Sequence, residues 1–256
     1  FLMIKRGLVI FVWLATLFGQ SNLEKGYDSY TRRAEGSIED RANPKFLNEA
    51  IDYYQLALKE PKSEADAALG LMKSYYYKGK YAVDTEAEQK IVFNKAKQLA
   101  SIYINKYPNQ FDILYWYLIN LGSWAEVYGI FAAAKEGVAD QMKHHAQRII
   151  EMDPTYEDGG GYFILGVVHY KSPYIPFILS WPDNDDAVQW LEKSVATGKA
   201  KPVQVVYLAQ ALYKAGEKER ALSILDKIAK MMPSKDDSLG DWEQIKKART
   251  LLKEYE

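Results

Sequence analysis

The chain has 256 residues, which suffices for one or two ordinary domains or for a single helical-repeat array. With 33 basic against 34 acidic residues the formal net charge is −1, so no field of one sign is available to hold a phosphate backbone, which argues against nucleic acid as a partner. Cysteine is absent, which removes disulfides, thiol nucleophiles, Cys-based zinc sites and an acylated anchor through Cys. Aromatic residues are abundant, with 20 Tyr, 9 Phe and 6 Trp. Tyrosine pairs an apolar ring with a hydroxyl that needs a partner, so it suits both the large positions of packed helices and the walls of wet ligand channels.

In chain order, Lys5 and Arg6 precede an apolar run from Leu8 to Phe18, and Gly19-Gln20-Ser21-Asn22 follows. A short basic stretch, an apolar run of this length and a small-residue exit describe a secretory signal peptide over residues 1–20, with Met3 as the expected start. The run is short for a membrane span, which needs roughly 20 residues. The poor cleavage site, with Leu17 and Gly19 at its key positions, leaves removal and retention as an anchor both open. An exported location, periplasmic or envelope-associated, is expected.

From residue 22 to 256 apolar residues recur at three- and four-residue spacing, the mark of helices buried on one side. The first pair is expected over 22–35 and 45–58, closed by Pro61. A helix over 64–78 follows, then an interruption at 78–86 and a helix carrying Ala96, Ala100 and Tyr103 that ends before Pro108. Next comes an aromatic helix over 111–127, a second interruption around 128–137, and a helix with Met142, Ala146 and Ile149 that ends at Pro154. Gly159-Gly160-Gly161 opens the helix after it. With no preceding strand and no Lys-Ser/Thr, this run reads better as a turn between closely packed repeats than as an anion cradle.

Tyr162, Leu165, Gly166 and His169 on one helix, and Ala187, Leu191 and Ser194 on the next, repeat a frame that is clearest further on. There Val205, Leu208, Ala209 and Leu212 are followed by Gly216, then by Ala221, Leu225 and Ile228, with Pro233 at the end. This is the spacing of a tetratricopeptide repeat, in which small residues such as Ala209 and Ala221 let two helices approach. In the earlier copy the stretch 171–186 is longer, and it carries Pro173, Pro176 and Pro182 together with Tyr174, Phe177, Ile178, Leu179 and Trp181. Prolines at that density stop a helix, and insertions in repeat arrays emerge on one face, often the binding face. Asp183-Asn184-Asp185-Asp186 reads as an N-cap for the helix near Ala187. A final helix over 242–255 would cap the open end of the stack. The expected fold is therefore all-α: a tetratricopeptide-like solenoid of about five antiparallel helix pairs over 22–256 with a C-terminal capping helix.

Catalytic chemistry finds little support. Of the histidines, His144 and His145 are adjacent and point about 100° apart on a helix, so they share a ligand poorly. Asp140 and His144 lie four apart, a spacing better explained by a solvated ion pair than by a metal. His169 replaces the repeat tyrosine and reads as a core or groove polar contact. Neither a nucleophile elbow, a phosphate loop nor a zinc-protease motif occurs. A non-catalytic protein with no catalytic residues, no metal site and no cofactor is expected.

From Asn109 onward the chain resembles the T-component of tripartite ATP-independent periplasmic (TRAP) transporters. The likeness rests on the aromatic helix containing Trp124, the helix ending Ile150-Glu151-Met152-Asp153-Pro154-Thr155-Tyr156, the glycines 159–161, Leu165-Gly166, the proline-bearing loop and Ala248-x-x-Leu251-Leu252. The resemblance implies a periplasmic accessory that can trimerise, pairs with a substrate-binding P-component and accepts a small hydrophobic or organic-acid molecule in a channel. Its departures are the missing Cys anchor and Ser180-Trp181-Pro182-Asp183-Asn184-Asp185 where that family tends to carry Gly-Gly-Asp. Trp124, Tyr128, Tyr162, His169, Tyr174, Phe177 and Trp181 are the residues expected to line the ligand site. The alternative is a general tetratricopeptide scaffold for protein–protein contact at the cell envelope.

Overall fold

The computed structural model describes residues 20–177 and 179–255. The expected signal peptide, apart from Gln20, lies outside the described residues, as does Ile178 of the proline-bearing loop. Among the described residues no helix is long and apolar enough to cross a membrane.

Local chemistry fixes where the helices begin. In α1 (Asn22–Thr31) the Ser21 side chain accepts from the Glu24 amide while the Glu24 carboxylate accepts from the Ser21 amide, a reciprocal box that satisfies two orphan donors. Asn43 caps α2 (Pro44–Ala57), whose first position is the proline that has no amide to orphan. After α3 (Glu64–Tyr81), the pair Thr85 and Glu88 repeats the box for α4 (Glu86–Lys106). The helices α5 (Phe111–Tyr128), α6 (Ile130–Lys135) and α7 (Val138–Met152) follow, with Gly129 and Gly137 at positive φ on either side of the short α6. Then come α8 (Tyr156–Lys171), α9 (Asn184–Val195), α10 (Pro202–Lys214), α11 (Lys218–Ala229) and α12 (Ser238–Tyr255).

The pairs are α1/α2, α3/α4, α5/α7, α8/α9 and α10/α11, with α12 closing the stack, so the expected all-α repeat architecture holds among the described residues. Boundaries differ in instructive places. The helix expected to end at 78 runs to Tyr81, because its last turn buries Tyr77 and Tyr81. The interruption expected at 128–137 contains α6, and the capping helix starts at Ser238 rather than Trp242.

The glycine run is a joint between repeats. Glu157, Asp158 and Gly159 sit in left-handed backbone at φ 48°, 57° and 81°, a conformation that persists only where the surroundings enforce it. The carbonyl of Asp158 accepts from Thr197 Oγ1 at 2.8 Å and Gln204 Nε2 at 2.9 Å, and that of Gly159 from Ser194 Oγ at 3.1 Å. A Cβ on Gly161 would meet Ile150 at 2.9 Å, so only glycine lets α8 lie this close to α7.

The stack also closes on itself. The helices on its inner side are α1, α3, α5, α8 and α10, each packed on the next, and α12 packs on α10 and reaches the first pairs. Leu239 of α12 is fully buried with Leu47 of α2 and Tyr77 and Tyr81 of α3. Around it Tyr77 donates to Asp237 at 2.8 Å, Arg33 to the Asp236 carbonyl at 2.9 Å, and Lys246 pairs with Asp40 at 2.7 Å. The two ends of the array are clasped into a ring.

Candidate functional site

A cavity of about 590 Å³ lies on the inner side, bounded by α3, α5, α6, α7, α8, α10 and the start of the 172–183 loop. This is within the usual range for small-molecule sites. It exists because the chain puts Gly122, Ala125, Gly129, Ala133, Ala134 and Gly137 along the α5–α7 junction, where larger side chains would fill it. Its deeper wall is apolar and buried, from Leu118, Val138, Met142, Phe163 and Val168. Lining residues that are also exposed, Glu126, Ile130, Ala134, Asp140 and Lys171, mark the mouth.

One sector of the wall is charged. Lys80 of α3 pairs with Glu243 of α12 at 2.9 Å, and Lys171 of α8 with Glu126 of α5 at 3.5 Å. Tyr207 of α10 donates to Glu126 at 3.3 Å, and the Lys247 ammonium of α12 stands 4.6 Å from the centre of the Tyr207 ring. Burial alone would raise the Glu126 pKa, but Lys80, Lys171 and Lys247 together hold it below the usual carboxylate range. Burial would likewise lower the Lys80 pKa, yet Tyr76 and Glu243 raise it. Burial pushes Tyr76 up to about 12, so its hydroxyl stays protonated and able to donate. The Lys247 pKa is depressed, first by burial and then by Lys171.

None of the seven residues expected to line a ligand site belongs to the wall of this cavity. Trp124 is buried, stacked on Tyr128 at 4.6 Å and covered by the Lys97 ammonium 3.6 Å from its ring centre. Tyr162 of α8 stacks on Trp190 of α9 at 5.9 Å. His169 is buried; its Nδ1 accepts from the Asp183 amide at 3.3 Å, and burial lowers its pKa. Trp181 packs edge-on to His169 and donates its indole N–H to Asp140 at 2.8 Å, which engages the carboxylate that spacing had paired with His144. Tyr174, just before the Ile175–Leu179 backbone pair, is exposed, and Phe177, inside the turn that this pair closes, is exposed completely. The loop does reach the cavity, through Ser172, Pro173, Ile175 and Leu179. Large rings such as Trp124 fill space between helices, while this cavity is opened by small side chains.

The sequence profile described as "Regulator of microtubule dynamics protein 1-3" matches residues 37–178, more than half of the chain. The chain belongs to that family. The matched span runs from the turn after α1 to the loop beside the cavity, so it holds α5 to α8 and most of the wall. Among solved structures the family member's fold is similar to TTC0263, a thermophilic TPR protein in Thermus thermophilus, with a TM-score of 0.59 over 91% of this chain and 96% of that chain. Sequence identity is 14%, so the likeness is one of fold. No curated protein matches the chain by sequence. What stands from the T-component resemblance is its coarser content, a tetratricopeptide-like helical-repeat protein.

Proposed function

We propose that this protein is a non-catalytic helical-repeat binding protein that holds a small, mainly apolar molecule inside its ring. The observation that carries this reading is the cavity of about 590 Å³ walled by buried aliphatic side chains within a clasped array. A solenoid that grips an extended peptide needs an open groove along its length. Here the clasp joins both ends, and the available volume is compact. Burying the apolar surface of a ligand against such a wall supplies roughly 25 cal/mol per Å² removed from water. The test is native mass spectrometry of the purified full chain, followed by titration with an environment-sensitive apolar fluorophore. Saturable one-to-one binding is expected, and the absence of both a bound mass and saturable fluorescence would end this reading.

In its most specific form the reading is a periplasmic accessory of a TRAP-like transport system, presenting its ligand to a P-component. The resemblance from Asn109 onward and the apolar cavity support it. Co-purification with a P-component that depends on ligand would test it. A second reading, protein–protein contact, draws on the family's name and on Phe131 and Phe177, exposed near the mouth on α6 and the loop tip. Loss of a partner on substituting both residues, with fluorophore binding intact, would favour it.

A further inference from the structure

We propose a second binding site, independent of the apolar cavity: a pocket between α1, α2 and α3 that takes a small organic cation, an alkylated ammonium in chemical class, between tyrosine rings and a rim of carboxylates. The pocket has a volume of about 550 Å³ and shares no lining residue with the cavity described above.

One side chain is threaded into it. Tyr54 of α2 reaches the pocket through a slot between α1 and α3. A Cβ on Gly26 would stand 2.7 Å from Tyr54 Cδ1, and one on Gly70 would stand 2.4 Å from Cζ, so the ring passes only because both positions are glycine. The hydroxyl-bearing end of the ring therefore lies at Gly70, itself part of the pocket wall. Tyr54 is 4% exposed, and its hydroxyl has no hydrogen-bond partner among the described residues. Burial raises its pKa, so the hydroxyl keeps its proton at neutral pH. Packing alone does not call for that hydroxyl. In two later pairs the side chain set against a glycine in this way is Phe93, on Gly79, and Leu191, on Gly166. Leaving a hydroxyl so nearly enclosed without a partner costs free energy, which a bound polar group would recover.

The lining chooses the sign of that group. Glu24, Asp28 and Asp66 face a single lining cation, Lys73, so three carboxylates against one ammonium leave two negative charges in excess. Among the described residues none of the three carboxylates has a lysine or arginine within 4 Å. The Lys73 ammonium stands 5.5 Å from the centre of the Trp116 ring, and Arg32, one turn after Asp28, is taken by Glu35 at 2.6 Å. Glu24 receives the Ser21 amide and hydroxyl on one oxygen, which lowers its pKa and keeps it ionised. Asp28 accepts from the Gln20 side-chain amide at 3.2 Å.

An anion would meet the excess charge, and a neutral molecule would leave it uncompensated. Nor do these carboxylates converge on one point, since no group of acidic side chains among the described residues could hold a metal ion. The cation that fits is one that spreads its charge over an apolar surface. Tyr27 and Tyr30 offer rings that attract an ammonium, and Leu23 and Leu69 offer the wall for its alkyl groups.

The experiment is calorimetric titration of the full chain at pH 7.5 with choline, its neutral isostere 3,3-dimethylbutan-1-ol and the anion 3,3-dimethylbutanoate. Choline should bind at least about tenfold more tightly than the alcohol, and the anion most weakly. Asp66→Asn, at an exposed position, should weaken choline about threefold and leave the alcohol unchanged. Tyr54→Phe keeps the ring in its slot and should weaken choline by a similar factor of about three. Added salt should weaken choline alone, a readout that needs no variant. Choline should leave an apolar fluorophore in the large cavity undisturbed. Equal affinities of choline and the alcohol, or no binding of choline, would overturn the proposal while leaving the cavity reading standing. Displacement of the fluorophore by choline would overturn it as well, by placing the cation in the cavity.

Discussion

Tyr81 of α3 donates its hydroxyl to Glu243 of α12 at 2.8 Å across 162 residues of sequence, and the same carboxylate receives Lys80 at 2.9 Å. Both partners lie where the first repeats meet the last helix, so this contact belongs to the clasp and to the charged edge of the cavity at once. The apolar part of the clasp is Leu239, fully buried between α2 and α3. Lys80 thereby joins the clasp to the cavity wall.

The clasp predicts a large effect of Leu239→Ala. Removing a fully buried leucine typically destabilises by about 2–5 kcal/mol, because transfer free energy and cavity formation add. Urea unfolding should show a loss in that range. An effect within about 0.5 kcal/mol, usual for surface positions, would mean that α12 does not dock on α2 and α3 in solution.

Close packing inside a repeat predicts a different pattern for two glycines. A Cβ on Gly166 would lie 2.6 Å from Leu191 Cγ and 3.1 Å from the Leu191 backbone nitrogen, so α9 itself must shift. Gly166→Ala should therefore destabilise by about 1–3 kcal/mol through overpacking. Gly216 has open space around it but φ +86°, so Gly216→Ala should be strained by conformation alone, at about 1–2 kcal/mol. Restoring space with Gly166→Ala/Leu191→Ala should relieve part of the first defect. No second-site truncation should relieve the other.

The cavity predicts that filling it abolishes binding without unfolding the protein. Val167 lines the cavity and is half-buried, so its side chain has room to grow inward. Val167→Trp should lower fluorophore affinity at least about tenfold, the equivalent of about 1.4 kcal/mol. Its midpoint of urea unfolding should move little. Unchanged affinity would place the fluorophore elsewhere.

Much of this fold was legible because helix periodicity, caps and helix-stopping prolines act locally. Val205, Leu208, Ala209 and Leu212 set the frame of α10, Gly216 its turn, and Asp183 the start of α9, where its carboxylate accepts from the Asp185 amide at 2.8 Å and the Asp186 amide at 3.1 Å. The ring closure was not legible, since Tyr77–Asp237 and Tyr81–Glu243 join residues 160 and 162 apart and leave no periodic trace. The cavity wall was missed for another reason. Its usable signal was the spacing of Gly122, Ala125, Gly129, Ala133 and Gly137, which by periodicity reads only as a broken helix. The conspicuous aromatics Trp124, Tyr162 and Trp181 instead stack against neighbours.

The acid response of the protein should carry the mark of His145. Burial, then the neighbouring His144 and Arg148, lower its pKa from the ordinary 6.5 to about 4. Its Nδ1 is buried without a hydrogen-bond partner among the described residues, and its ring meets Tyr117 edge-on at 5.5 Å. The folded protein thus binds this proton less readily than the unfolded chain does. The stability linked to His145 is complete above pH 6.5 and is lost as pH falls toward 4. His169, also depressed by burial, acts in the same direction. Because His145 is only half-buried, solvent screening reduces the effect below that of a fully enclosed imidazole. Carboxylates contribute mainly at the acid end of this window, so the slope between about pH 6.5 and 5 reports the histidines. Melting temperature should fall as pH is lowered through that interval, and His145→Gln should flatten the decline. An unchanged slope in the variant would show that the imidazole is solvated and has its ordinary affinity for protons in the fold.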